Sequence, residues 1–271
     1  MPMCADAAMR LDRLLTTLAV GSRSQVKTML RAGRVTVNGQ VVRSADAHVQ
    51  PGDRLTVDGA GARDAGMQVD GAQSDVRLDG RRLCYKAVRH VMLNKPSGVL
   101  TAARDPKQPT VLDLLPPAYR ACGCMPVGRL DKDTSGLLLL TTDGELAHRL
   151  LSPKRHVWKC YEATVDGPLN AQDAAAFAAG LELSDFTALP AELEILRSSP
   201  QEAVAQVRVR EGKFHQVRRM FAARGRTVTA LRRLSLGPLT LDASLQPGEY
   251  RELTAQELTE LLAAVSKEDA E

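Results

Sequence analysis

No apolar run in the 271 residues approaches the length of a membrane-spanning helix, and the opening MPMCADAAMR lacks the apolar core of a secretory leader. Neither export nor membrane insertion is expected, and the cytoplasm is the expected location. The five cysteines, Cys4, Cys84, Cys122, Cys124 and Cys160, show no paired metal-ligand spacing. Their odd number gives no disulfide framework, so reduced thiols are expected and a structural metal is not. Strong net charge is missing too, since 36 Lys and Arg stand against 32 Asp and Glu, a formal +4. Bulk charge therefore does not single out a nucleic-acid binder. What is present is an ordinary globular composition, 44% hydrophobic and 25% charged, in a chain long enough for one large core or two smaller ones. The basic residues are mostly arginine, which suits phosphate and base recognition, and they are unevenly placed.

One concentration lies near the start. Met9 to Val57 reads as helix, helix, hairpin, strand, with Ser22 as N-cap of a helix from Arg23 to about Ala32 and Gly33 as its stop. Val26, Met29 and Leu30 share one face, whereas Arg23, Lys27 and Arg31 recur every fourth residue on another and lead to Arg34. Asn38-Gly39 then forms a two-residue hairpin turn, and Pro51 to Asp53 a second turn. A basic stripe ending beside a hairpin is an arrangement that tracks RNA phosphates. Residues 59–80 are rich in glycine and poor in large apolar groups, which suggests a flexible linker or insertion, in which the VDG, VDG and LDG recurring at Val57, Val69 and Leu78 are either weak edge hairpins or nothing regular.

The second concentration spans Val207 to Arg233, where Arg208, Arg210, Lys213, Arg218, Arg219, Arg224, Arg226, Arg232 and Arg233 stand against Glu211 alone. Such a segment predicts a large local positive field. A helix from His215 to Arg224 would turn Val217, Met220 and Phe221 inward. Elsewhere the pattern predicts strands at Tyr161–Val165, Leu193–Leu196 and Val204–Arg210, and a last one near Leu236–Leu241. It predicts helices from Thr142, boxed by Glu145, from Asn170 to Ala179, and from Thr254, boxed by Glu257, with Leu258, Leu261, Leu262 and Val265 buried. Residues after Ser266 are expected to fray.

Between these concentrations lies GRLDKDTSGLLLLTTDG, Gly128 to Gly144. Arg129, two carboxylates (Asp131 and Asp133) and two hydroxyls (Thr134 and Ser135) precede four leucines that read as a buried strand, so a polar loop is fixed to a rigid apolar element. A carboxylate in a basic protein could bind a metal, move a proton or attack as a nucleophile. The metal reading is the weakest of the three, because arginines compete for the charge and no further acidic cluster accompanies these two residues.

GRLDKDTSGLLLLTTDG, with MLNKPSGVLT at Met92–Thr101, KCYEATV at Lys159–Val165 and EGKFHQVRRMFAARG at Glu211–Gly225, resembles the RsuA-type ribosomal RNA pseudouridine synthases in four blocks and in their order. The N-terminal part is similar to the small RNA-binding module, named after ribosomal protein S4, that precedes the catalytic domain in that family. The resemblance implies an α+β fold, a pseudouridine synthase domain around a mixed, largely antiparallel sheet behind a small α/β domain. The expected boundaries are 9–58 for the RNA-binding domain, 59–80 for the linker and 81–266 for the catalytic domain. It implies Asp131 as the nucleophile, attacking carbon 6 of the uracil or carbon 1′ of the ribose. Tyr161 takes the place of the tyrosine packed on the base, and Arg218 that of the basic residue paired with Asp131. Arg129 aligns with a position that enters the RNA stack as the base leaves it. Arg23, Lys27, Arg31, Arg34, Lys213, His215 and Arg219 are the expected RNA contacts. No cofactor and no metal are implied, because the reaction is an isomerisation.

The expected partner is ribosomal RNA, 16S or an assembling small subunit, met by a monomer. Two alternatives share these features: a synthase for large-subunit 23S rRNA, and a non-catalytic RNA-binding assembly factor.

Overall fold

The computed structural model of the chain describes residues 9–17, 20–50, 54–57, 66–68, 74–78, 81–85 and 88–266. These fall into two compact units, one of residues up to Arg89 together with Pro116–Cys124, the other of His90–Leu115 and the residues from Met125 onward. The turn expected at Pro51–Asp53 and the fraying after Ser266 lie outside the described residues. Among the described residues no helix is long and apolar enough to cross a membrane.

The first unit contains β1 (Met9–Arg10), α1 (Leu11–Thr17), α2 (Arg23–Arg31), β2 (Val35–Val37), β3 (Gln40–Val41), β4 (His48–Val49), β5 (Arg54–Val57), β6 (Gly66–Gln68), β7 (Ser74–Leu78), β8 (Arg81–Tyr85) and, further along the chain, α3 (Pro117–Ala121). Helix α2 starts where Ser22 and Gln25 cap each other: the Gln25 amide donates to the Ser22 hydroxyl at 3.3 Å and the Ser22 amide to the Gln25 side chain at 2.8 Å. It ends at Gly33, whose φ of 72° few other residues tolerate. Val26 and Leu30 of α2 pack against Leu11, Leu14, Leu15, Val35, Val49, Leu55 and Val57, which leaves Arg23, Lys27 and Arg31 exposed on the opposite face. Asn38 and Gly39, both at positive φ, turn the hairpin of β2 and β3 as their sequence requires.

The stretch expected to be a linker differs from that expectation. Its described parts are β6 and β7, and the sheet runs β3-β2-β5-β6-β7-β8. In sequence, SDVRL and RRLCY flank Asp79-Gly80, a two-residue hairpin signal that the glycine content of the region obscures. Because Arg81–Tyr85 pairs with β7, the second unit starts at His90 and not near Arg81.

The second unit holds β9 (His90–Lys95), β10 (Met125–Pro126), β11 (Thr134–Thr141), α4 (Gly144–Leu151), β12 (Lys159–Asp166), α5 (Ala171–Ala179), β13 (Glu192–Ser198), β14 (Glu202–Val209), α6 (Gln216–Ala222), β15 (Val228–Leu236), β16 (Leu239–Thr240), β17 (Tyr250–Glu252) and α7 (Ala255–Ser266). Its strands form one nine-stranded sheet, ordered β13-β14-β12-β15-β11-β9-β17, with β10 on β11 and β16 on β15. The sheet is antiparallel except where β11 and β15 run parallel. This is the α+β class with a mixed, largely antiparallel sheet. Strand β11 is interior and covered on both faces, so Leu137, Leu138, Leu139 and Leu140 are all fully buried. A continuous apolar run in place of alternation is the consequence. Leu137 and Leu139 pack with Met92, Leu146, Leu150, Leu236, Leu261 and Val265, which seats α4 and α7 on one face.

Three local expectations need correction. Helix α4 is capped by Asp143 and not by Thr142, because the Asp143 carboxylate accepts from both the Glu145 and Leu146 amides at 3.0 Å. The last strand breaks at Gly237, φ 55°, into the hairpin of β15 and β16. Leu262 of α7 is 41% exposed, since the buried stripe runs through Leu261 and Val265. The box of Thr254 and Glu257 at the start of α7 is present in both directions.

Candidate active site

The loop from Gly128 to Asp133 enters β11, and its backbone is braced from the block that follows β9. Lys95 ends β9 wholly buried, and its ammonium donates to the carbonyls of Pro96 (3.0 Å), Asp131 (3.2 Å), Lys132 (3.1 Å) and Thr134 (2.8 Å). Four acceptors share three N–H protons, so at least one proton is bifurcated. The Gly98 amide adds a bond to the Lys132 carbonyl at 2.8 Å, and the Thr101 hydroxyl bonds both the carbonyl and the amide of Leu130. LNKPSGVLT is thus the clamp of the loop. Burial lowers the Lys95 pKa to about 8, although the carboxylates of Asp133 and Asp131 work against that shift. On the far side, β15 passes so close that a Cβ on Gly136 would lie 2.2 Å from the Arg233 carbonyl oxygen, at a φ of 100°. Only glycine fits there.

The clamped loop forms one wall of a small, open cleft. Arg129, Leu130, Asp131 and Thr134 line it from the loop, Tyr161 and Leu231 from the sheet, and Glu211 to Val217, apart from Phe214, from the turn before α6 and its first residues. Asp131 is half-buried with its carboxylate reachable, Tyr161 is 9% exposed, and Arg129 is exposed. The Thr134 hydroxyl, buried at this wall, has no hydrogen-bond partner. An unsatisfied buried hydroxyl lining a cleft is a place for a ligand's polar group.

The pairing expected for Arg218 is not found. Its guanidinium meets Asp133 at 2.8 Å and donates to the Val228 carbonyl at 3.0 Å, so it ties α6 to the end of the loop and to the start of β15. The group facing Asp131 is His215, whose Nε2 lies 3.5 Å from the carboxylate. His215 caps α6 with a left-handed φ of 51°, and the turn this makes, one helical turn before Arg218, carries its ring to the nearer of the two acids.

The other expected contacts divide. Lys213 lines the cleft, with its ammonium 3.8 Å from Glu211 and 3.7 Å from the centre of the Phe186 ring. Arg219 points away from the cleft to Asp185 and Ser184. Arg23, Lys27, Arg31 and Arg34 belong to the other unit. Sequence reading gave no role to Gln216, which is buried. Its side chain accepts from the Lys213 amide at 3.1 Å and donates to Glu211 at 2.7 Å, which fixes the turn before α6. For Lys95 the sequence leaves RNA contact and the capping of a turn open and favours the turn; the ammonium does bond the Pro96 carbonyl of that turn, but three of its four acceptors lie across it, on Asp131, Lys132 and Thr134. Lys159 is a second buried lysine. It donates to the Val157 carbonyl at 2.7 Å, and its pKa is lowered to about 8 by burial and by Arg233.

A reachable carboxylate on a rigid loop, beside a buried tyrosine and a turn carrying Lys213 and His215, can take a flat polar ligand and attack it or move its protons.

Comparison with known proteins gives the family. Residues 89–223 match the family described as RNA pseudouridylate synthase, and residues 9–55 match the S4 domain. The chain is 40% identical to the uncharacterized RNA pseudouridine synthase YtzG of Bacillus subtilis (strain 168), with 92% of this chain and 97% of the relative covered. It is 40% identical to the ribosomal small subunit pseudouridine synthase A of Yersinia pestis, covering 92% and 97%. The corresponding figures for that of Escherichia coli (strain K12) are 38%, 94% and 100%. A solved structure entitled crystal structure of pseudouridylate synthase aligns over 93% of this chain and 99% of its own, at 33% identity and a TM-score of 0.60. Three motif blocks lining one cleft with the fourth clamping its loop, an S4 domain ahead of them, and relatives matched nearly end to end identify the chain as a member of the RNA pseudouridine synthase family, a family of isomerases.

Proposed function

We propose that the chain isomerises one uridine of small-subunit 16S ribosomal RNA to pseudouridine, with Asp131 as nucleophile. The observation that carries this reading is the cleft itself, where the Asp131 carboxylate stands reachable beside Tyr161 while its backbone is held by the Lys95 ammonium. The relatives from Yersinia pestis and Escherichia coli, named for the small subunit, supply the choice of RNA.

The uridine leaves its stack and enters the cleft, with Tyr161 packing on the uracil and Arg129 filling the place it vacates. Asp131 attacks, the bond between carbon 1′ and nitrogen 1 breaks, and the base turns. A bond forms between carbon 1′ and carbon 5, the bond to Asp131 breaks and its electron pair returns to the carboxylate, the proton on carbon 5 leaves and nitrogen 1 gains one, so composition and oxidation state are unchanged. Arg218 serves through Asp133, holding the loop against α6, and His215 faces the nucleophile. Arg23, Lys27, Arg31 and Arg34 of the S4 domain hold RNA phosphates, which adds affinity without sequence selection.

The test is Asp131→Asn, which keeps size and hydrogen bonding but removes the attacking oxygen. With a small-subunit rRNA transcript or a partly assembled small subunit, the intact protein is expected to form pseudouridine at one site. The variant should bind equally well and form none. Product from Asp131→Asn would refute the nucleophile, and product confined to large-subunit rRNA would refute the choice of RNA.

A further inference from the structure

The chain has only four phenylalanines. Phe177 and Phe221 are fully buried with ring centres 5.1 Å apart, and Phe186 is half-buried beneath Lys213 and Arg219. Phe214 is different. At 75% exposure it is the most exposed large hydrophobic side chain among the described residues, the next being Val41 at 53%. A phenyl ring held in water forgoes the stabilisation that burial would give it. Its position is also special, because Lys213 and His215 on either side of it both line the cleft. The ring lies flat on the His215 imidazole, with centres 3.8 Å apart and planes inclined by 17°. His215 itself adopts a left-handed backbone, unfavourable for a residue with a side chain, and turns Nε2 toward Asp131.

An exposed ring, a strained neighbour and a rigid stack thus coincide at the mouth of one cleft, and the Phe177–Phe221 core does not require any of the three. We propose that Phe214 is a stacking platform for the RNA, whose outer face receives the nucleobase next to the target uridine. This deepens the function proposed above and rests on it for the identity of the cleft. The target base itself goes deeper, to Tyr161 and Asp131, since Phe214 is outside the cleft lining. A nucleobase fits the outer face because it is flat and aromatic, and because Lys213 stands at the same cleft to take its phosphate. The stack of base, Phe214 and His215 then runs to Asp131, so that gripping the neighbouring nucleotide sets the depth at which the uridine meets the nucleophile. Phe214 is a positioning residue and not a catalytic one.

Stacking on an aromatic side chain is worth about 5- to 150-fold in affinity per base on truncation to alanine. Binding of a small-subunit rRNA transcript should fall by that factor in Phe214→Ala. It should fall nearly as far in Phe214→Leu, which keeps apolar bulk without a ring, and recover in Phe214→Trp. An octaribonucleotide with one uridine flanked by 2-aminopurine gives a readout without turnover. Its fluorescence should be quenched by the Asp131→Asn protein and remain unquenched when Phe214→Leu is added. Wild-type affinity and KM in Phe214→Leu, or equal quenching with and without the ring, would overturn the proposal even if pseudouridine forms normally. If the intact protein forms no pseudouridine in the transcript while the affinity series and the quenching follow the ring, the platform is supported and the proposed target is what fails.

Discussion

Two stretches of this chain are conspicuously basic, and the fold uses them in opposite ways. On α2, Arg23, Lys27 and Arg31 are exposed, and among the described residues no carboxylate lies at ion-pair distance from them. In the segment from Val207 to Arg233, acids arrive from elsewhere in the chain. Arg208 meets Glu192, Arg218 meets Asp133, Arg219 meets Asp185 and Arg224 meets Asp173. Arg226 and Arg233 donate to the carbonyls of Pro168 and Leu137. Nine cations against one acid in sequence is therefore not the large free positive field that the local count predicts. Arginine on an open helix face remains available for phosphates, whereas arginine among strands and loops acts as a brace with several donors.

The largest effect expected from this contrast is at Arg218. Arg218→Leu removes the tie from α6 to Asp133 and Val228, and the loop carrying Asp131 loses its support. Turnover should fall on the order of 100-fold, the usual result when a reacting group is misplaced by about 1 Å. Affinity for RNA and its salt dependence should stay near wild type, and Arg218→Lys should recover part of the rate. A variant that turned over normally but bound RNA with a flatter salt dependence would place Arg218 among the phosphate contacts and erase the contrast.

Lys95 is a brace whose charge can be removed by pH. Its ammonium holds three carbonyls at the Asp131 loop as well as that of Pro96, and burial sets its pKa at about 8. Because the folded pKa is lower than the unfolded one, burying the charge destabilises the protein below about pH 8, and this cost is relieved between about pH 8 and 10.5. In the same window the loop loses its charged clamp. Turnover should fall roughly tenfold per unit above pH 8 without a matching loss of thermal stability from this group. Lys95→Met should be slow at every pH, with no step near 8. A wild-type rate that held constant from pH 7 to 10 would remove Lys95 from this role.

Replacing Arg23, Lys27 and Arg31 together by Ala should act on binding alone. If the three contact phosphates, the slope of log affinity against log salt should flatten by roughly 2 to 3 units while turnover of bound RNA is unchanged. Equal slopes before and after would mean that the exposed face is merely solvated.

How much of this was legible in the sequence follows from the range of the interactions. The Ser22 cap, the Asn38-Gly39 hairpin and the buried run Leu137 to Leu140 depend on residues close in sequence, and all were readable. The four motif blocks were readable as well, but not which atoms meet. The acids that engage Arg208, Arg218 and Arg224 lie 16 to 85 residues away, so no local pattern shows them. That His215 rather than Arg218 faces Asp131 depends on one left-handed residue at the start of α6. The strands within 59–80 surface in the sequence only as the recurring VDG, VDG and LDG, since glycine count outweighs alternation there.

The smallest effect is also the most direct probe of the contrast, because it frees a charge without adding one. Arg208 and Glu192 face each other across β14 and β13, with contact at 2.6 Å and both side chains about half exposed. An exposed pair of this kind contributes little to stability, so Glu192→Gln should leave unfolding almost unchanged. It keeps the size of the side chain and removes the charge that holds Arg208. If the segment avoids phosphates only because its arginines are occupied, RNA affinity should rise about two- to threefold at low salt and the salt slope should steepen by at most about one unit. The Trp158 ring, 5.0 Å from the Arg208 guanidinium, will hold part of that freed charge in place by cation–π attraction, which keeps the gain small. No change in affinity at any salt concentration would mean that this side of β14 does not meet RNA at all. The division between bracing and binding arginines would then follow position in the fold, with pairing as its consequence.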